Sequence, residues 1–356
     1  MKNILIIFLI IFAFAACKKE DEVDRDECLS TASNGCAPLL VIPNWKTTVY
    51  CQDLIDIRNG SISFPSENIG YAGGLRGGFI KTIDGGKSWS KLKLPTSNHI
   101  GSVYFLNENI GWVIGTAMSG CLDVDCNKGN ILLKTEDGGL TWDKHFINNQ
   151  DGLLQNLHFF DQNNGWAIKY TESKAQAELV KTTDGGINWI IVDLPVGSNY
   201  DSKIQFLNND VAFTFGENGH LLKTASRGQD WESLSTPLED LRDFYFVSES
   251  LGFITGHTQA YKTTDGGKNW TNINMVSSAG GKIYFMNENQ GFIVTTNFVY
   301  AGGDWPQTKM VAHSTEDGGK TWQTCAEKPG STGYFYQIKS NKGLFLNLNS
   351  VIVVEK

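Results

Sequence analysis

The chain lacks any long stretch of helical periodicity, which excludes bundles and layered α/β folds. It is also poor in arginine, with only Arg25, Arg58, Arg76, Arg227 and Arg242 in 356 residues. The formal net charge is −8, which argues against nucleic acid as a partner, because phosphate binding needs clustered Lys and Arg. No Cys-x-x-Cys pair occurs, so zinc and thiol-redox signatures are absent. The six histidines form no His-Glu-x-x-His motif. His220 and His257 fall in equivalent turns of adjacent repeats, with His99 in a loop on the same side. Scattered loop histidines of this kind are seldom a metal site. The apolar run from Ile4 to Phe14 is too short to span a bilayer comfortably.

What the chain does contain is one phrase in six copies, Ser/Thr-x-Asp-Gly-Gly-x-x-Trp. The copies end at Trp89, Trp142, Trp189, Trp231, Trp270 and Trp322, spaced 39 to 53 residues apart. Five keep the aspartate, as Asp84, Asp137, Asp184, Asp265 and Asp317; the fourth has Ser226 there and Arg227 in place of the first glycine. Apolar alternation on either side reads as two strands joined by a tight turn. The aspartate caps backbone N–H groups of its own turn and the glycines supply positive φ. Five equivalent carboxylates are therefore read as structural turn caps and not as metal or catalytic sites. Each tryptophan is expected to pack on a neighbouring sheet, its N–H free to find a partner.

A second phrase alternates with the first, seen in Val103-Tyr104-Phe105, Leu157-His158-Phe159 and Ile283-Tyr284-Phe285. A polar turn follows, then Gly-Trp or Gly-Phe, as at Gly111-Trp112 and Gly291-Phe292. Each repeat then holds four short strands, the pattern of a propeller blade. A seventh blade begins at Tyr334-Phe335-Tyr336 and supplies only three strands; Trp45-Lys46-Thr47-Thr48-Val49-Tyr50 matches the missing fourth. The expectation is an all-β, seven-bladed β-propeller over 44–356. Its four-stranded antiparallel blades close when residues 45–50 pair with 351–355, removing an open edge.

Residues 1–16 read as a secretory signal, and Phe14-Ala15-Ala16-Cys17 resembles the bacterial lipoprotein box. That resemblance implies lipidation of Cys17, with 17–43 as a lipidated flexible tether. The charged run Lys18-Lys19-Glu20-Asp21-Glu22 resembles the surface-export signal of Bacteroidota lipoproteins, implying an outer-membrane lipoprotein displayed at the cell surface. The membrane is then met through the lipid alone.

Six further cysteines in an exported chain favour disulfides. Cys121 and Cys126, in one inserted loop, are the favoured pair; Cys28, Cys36, Cys51 and Cys325 remain unsorted. In an antiparallel blade, the turn between the second and third strands opens opposite the Asp-bearing turn. The large insertions fall there, at Met118–Asn130, Thr171–Glu178 and Thr295–Lys309. Loops gathered on one face are where repeat rings meet partners. Phe298, Tyr300, Asp304 and Trp305 of the last insert suit a protein or sugar, or else fold back over the ring. Asp123, Asp125 and Asn127 resemble the start of a calcium loop. Lys128 and Lys134, however, stand where a glycine and a bidentate glutamate belong.

Together these phrases look like the photosystem II stability/assembly factor family of seven-bladed propellers, also described through BNR or Asp-box repeats. The likeness covers roughly 44–356. It implies a non-enzymatic assembly scaffold; that family's arginine-rich surface has no counterpart among five arginines, so no photosynthetic role is carried over. The function expected is a membrane-anchored monomer that binds a protein partner in the cell envelope, without cofactors. The alternative is a glycan-binding or glycoside-hydrolysing Asp-box propeller resembling sialidases. Asp123, Asp125, Glu172, Glu217 and Asp304 are its candidate carboxyls on the insertion face.

Overall fold

The computed structural model describes residues 46–51, 61–116, 130–147, 152–171, 176–194, 203–215, 220–273, 281–299, 307–329, 334–339, 342–347 and 350–355. They form seven four-stranded antiparallel sheets. Blades one to six run in chain order over 62–91, 99–146, 153–191, 204–234, 243–273 and 281–329. The seventh joins Tyr334–Lys339, Lys342–Asn347 and Ser350–Glu355 to the strand Lys46–Cys51. That closing pair is antiparallel from Lys46↔Glu355 to Cys51↔Ser350. Pairing runs one residue further at one end than the sequence suggests, to Cys51↔Ser350. Beside it, Lys342 Nζ lies 2.9 Å from Glu355 Oε1.

The first strand of a blade lies innermost, where the first strands of blades one and two, two and three, and five and six touch. The fourth strand is the exposed rim, as at Ser90–Lys91 and Ile190–Ile191. Blades are held together by aromatic stacking. The second-strand aromatic of one blade lies on the first-strand phenylalanine of the next: Tyr71 on Phe105 with centroids 3.5 Å apart, Trp112 on Phe159 at 3.9 Å, Phe213 on Phe246 at 3.5 Å, and Phe253 on Phe285 at 3.4 Å. Before Tyr71, Trp112 and Phe253 a glycine makes room for the phenylalanine of its own blade, whereas Ala212 precedes Phe213. A Cβ on Gly111 would sit 2.5 Å from the Phe105 ring.

One expectation needs correction. Thr295–Lys309 was expected as a loop, yet Gly291–Val299 and Gln307–Thr315 pair continuously from Gly291↔Thr315 to Val299↔Gln307. The insertion lengthens the blade, because cross-strand pairing satisfies backbone groups that a projecting loop would leave to water. In blade three Thr171 likewise pairs with Gln176. The register of the seventh blade is set by its second strand. Tyr336 faces Leu344, just after Gly343, as Tyr284 faces Phe292, just after Gly291. Tyr336 therefore takes the middle place of the inner-strand phrase and not the place of its phenylalanine.

Candidate functional site

The repeated turn is built around a threonine as much as an aspartate. Thr82 Oγ1 donates to Asp84 Oδ1 at 2.8 Å and accepts from Gly86 N at 2.9 Å. Asp84 in turn accepts from the backbone N–H and the hydroxyl of Ser88. The same arrangement recurs with Thr135, Asp137 and Thr141, and with Thr315, Asp317 and Thr321. Asn188 and Asn269 play the part of Ser88 for Asp184 and Asp265. Sequence reading missed this last position, although its signal is plain: the residue before each of these five tryptophans is Ser, Thr or Asn. Hydrogen bonds led by the Thr141 hydroxyl bring Asp137 down to about 2, and those led by the Asn269 amide do the same for Asp265. Both carboxylate oxygens are engaged in their own turn.

The glycine N–H then docks the turn on its blade, as Gly138 N donates to Asn109 O at 2.8 Å. In blades one to three the tryptophan N–H closes the loop on the turn itself, as Trp89, Trp142 and Trp189 donate to Gly86 O, Gly139 O and Gly186 O, whereas Trp270 donates to Ser235 O of blade four. The fourth copy keeps the shape without the aspartate. Ser226 Oγ accepts from Asp230 N at 2.9 Å, and Arg227 adopts φ 54° in place of a glycine.

At the axis, Ser63, Tyr104, His158, Gln205, Tyr245, Tyr284 and Tyr336 share one register position of the seven inner strands. Several of them reach the backbone of the next blade's phenylalanine. Ser63 Oγ accepts from Phe105 N, Tyr104 Oη donates to Phe159 O, Gln205 exchanges two hydrogen bonds with Phe246, and Tyr336 Oη accepts from Phe64 N. His158 instead lies flat on Phe206 at 4.0 Å. Burial pushes Tyr104 up to about 12 and raises Tyr245, and the neighbouring Tyr336 adds to both shifts. Phenols of blades two, five and seven thus approach one another at the axis.

The insertion face is uneven. Second and third strands have nine residues each in blade six but four in blades four and five. At ~3.3 Å per residue, five extra residues raise blade six by ~16 Å. Its fourth strand, Gln323–Pro329, follows, with Lys309 paired to Pro329. On the low floor, Asp240 Oδ2 accepts from His257 N at 3.0 Å. Fully buried Asp243 accepts from Lys203 Nζ at 3.0 Å and from Ile283 N at 2.8 Å, joining blades four, five and six. Sequence reading missed this pair; its signal was a charged residue two places before the middle of an inner strand.

Phe298 lies in the strand Gly291–Val299, opposite Thr308. Tyr300, Asp304, Trp305, Trp45, Cys17, Cys121, Cys126, Asp123, Asp125 and Asn127 lie outside the described residues, as do Glu172 and Glu217. His220 and His257 do sit in second-turn positions, but His99 opens the inner strand His99–Phe105 and accepts from Arg76 N through Nδ1 at 3.1 Å. Its loop assignment is corrected: the strand begins that early because His99 pairs with Thr116. Among the described residues, no three His, Cys, Asp or Glu side chains gather as metal ligands.

No family model matches the chain. No curated protein matches it either. Solved structures do. YCF48 bound to a D1 peptide is 18% identical, with a TM-score of 0.64, and the match covers 90% of this chain and 97% of that one. YCF48 from Cyanidioschyzon merolae is 16% identical, with a TM-score of 0.60 over 89% of this chain and 98% of that one. A GH74 enzyme from Niastella koreensis is 14% identical, with a TM-score of 0.57; 85% of this chain spans about half, 53%, of that enzyme. At these identities the fold is what is shared. The chain is an all-β propeller with the architecture of the photosystem II assembly factor YCF48.

Proposed function

We propose that this propeller is a non-enzymatic scaffold, tethered to the membrane by lipid on Cys17 and exported to the outer membrane surface, which binds a protein partner of the cell envelope. The observation that carries the reading is the raised three-stranded edge of blade six beside the low floor of blades four and five. A projecting sheet beside a floor gives a partner two surfaces at an angle, which flat faces do not. The polar residues at the axis support a scaffold as well. They bond to neighbouring blades, and their phenols are held neutral, which suits holding a ring and not nucleophilic attack. A solved neighbour of the same architecture binds a peptide, which is in keeping with protein recognition.

The test is in-cell photocrosslinking from position 308, compared with a chain whose blade-six hairpin is shortened by deleting 297–308. Specific protein adducts from position 308, and loss of the same partner from affinity purification of the shortened chain, are expected. An identical partner set for both chains contradicts the reading. Glycan recognition remains the second reading, favoured by the GH74 likeness. Saturable binding on a glycan array, or turnover of aryl glycosides, would put it first.

A further inference from the structure

The opposite, Asp-box face carries a second feature. A cleft of about 460 Å³ opens there, lined by Asn107, Glu108, Asn109, Ile110, Glu136 and Gln162. Blade two supplies two turns of its wall and blade three the other. Asn107 Oδ1 accepts from Asn109 N and Ile110 N, and Tyr71 Oη donates to Glu108 O, so the wall is fixed from within and from blade one.

The repeat supplies its own comparison. After the two glycines, blades one, five and six carry Lys87, Lys268 and Lys320; blade two has Leu140 and blade three Ile187. Leu140 is 78% exposed, the highest value among the exposed large apolar side chains of the described residues. In the turns 106–110, 136–141, 160–164 and 183–188 there is no Lys or Arg at all. Their aspartates are engaged in their own turns, Asp137 with Thr141, Asp161 with Asn164 and Asp184 with Asn188. Glu108 and Glu136 are the carboxylates that line the cleft. Lys134 reaches Glu136 at 3.1 Å from the strand beneath. Blades one, five and six place a box lysine beside their acidic turns and blade four has Gln229; here the position holds an exposed leucine, and Lys81 Nζ of blade one donates to Gly138 O at 3.1 Å beneath it.

We infer that the cleft seats a Lys or Arg side chain of a partner protein, while an adjacent apolar side chain of the same segment rests on Leu140. Carboxylates and side-chain amides around a preformed cleft match a cationic head and its hydrogen-bond donors, and a leucine at the rim matches an apolar neighbour. The occupant is thus an extended basic and apolar segment. Its surface is distinct from the blade-six edge, so the two proposals stand or fall separately.

The test is fluorescence anisotropy of a labelled Leu-Arg-Leu-Arg-Leu peptide titrated with the full chain. Saturable binding is expected, and Kd should rise ~tenfold in Glu108→Gln/Glu136→Gln and in Leu140→Lys, the usual loss when a charged or apolar anchor goes. Glu67→Gln/Glu288→Gln removes equal charge from the same face away from the cleft, and should change Kd by less than ~twofold. The proposal is overturned if the unaltered protein shows no saturable binding, if either cleft variant keeps its Kd, or if the control pair weakens binding as much. Shortening the blade-six hairpin should leave this Kd unchanged.

Discussion

Lys203 Nζ lies 3.0 Å from Asp243 Oδ1, and 2.6 Å from the carbonyl oxygen of Phe244 next to it. The ammonium belongs to blade four and the carboxylate to blade five, and the other carboxylate oxygen holds Ile283 N of blade six. Phe244, Tyr245 and Tyr284 place their ring centroids 5.0, 5.8 and 5.9 Å from the same nitrogen. Removing the carboxylate leaves the part-buried ammonium with the Phe244 carbonyl alone and takes the acceptor from buried Ile283 N. Asp243→Ala is expected to cost ~3–5 kcal/mol in urea unfolding, and a cost within ~1 kcal/mol of zero would show that the pair holds nothing.

Acid should unfold the ring in two steps. Burial lowers His158 to about 4 from its ordinary 6.5, so the folded ring keeps it neutral. Between these values the unfolded chain binds a proton that the folded chain refuses, and stability falls as pH falls. Asp137 and Asp265 sit near 2 against an ordinary 3.8, so their contribution is complete above 3.8 and is lost as pH drops through about 2. Stability measured by urea unfolding across pH should show both declines. His158→Phe keeps a ring on Phe206 and should flatten the upper step alone; an unchanged upper step would mean another group causes it.

The threonine of the repeated turn should matter more than its anonymity suggests. Thr135→Val leaves buried Gly139 N without its acceptor and takes one of several donors from Asp137, for a cost of ~1–3 kcal/mol. Thr224→Val in blade four removes the acceptor of Gly228 N but no carboxylate contact, so its cost should be smaller. Equal losses in the two variants would separate the aspartate from the turn's stability.

Gly291→Ala tests the close packing under the Gly-Phe phrase. Its Cβ would stand 2.6 Å from the Phe285 ring, which is stacked on Phe253 and cannot retreat freely. A loss of ~1–3 kcal/mol is expected, and thermal melts that match those of the unaltered protein would contradict it.

Much of this architecture can be read from the residues, because the repeat prints its local chemistry directly. The Asp-Gly-Gly turn needs positive φ, and Gly138 and Gly139 have 73° and 90°. The strand that closes the ring is recognisable because Trp45, just before Lys46–Cys51, matches the tryptophan that opens the fourth strand of the other repeats. What sequence could not give is the contact between blades. Tyr104 and Phe159 lie 55 positions apart, and only ring geometry brings the hydroxyl to that carbonyl. Blade six misled for another reason: Thr295, Thr296 and Asn297 look like loop residues, yet pairing with Val311, Met310 and Lys309 outweighs local preference. The place of Tyr336 was not legible either, because three consecutive aromatics allow two alignments and Gly343 across the ladder decides between them.

The account rests on one ring closed by its first strand. Ile62, Phe64, Ala72, Ile80 and Trp89 of blade one pack with Tyr336, Ile338, Leu344 and Val353 of blade seven, and Lys46–Cys51 covers the edge of that last sheet. A chain beginning at residue 53 keeps the blade contacts but uncovers Ser350–Glu355. Its melting temperature, followed with its mass by light scattering, is the most direct measurement. A fall of ~10 °C or more, with self-association through the bare edge, is the expected result. An unchanged melting temperature in a monodisperse monomer would contradict closure by this strand.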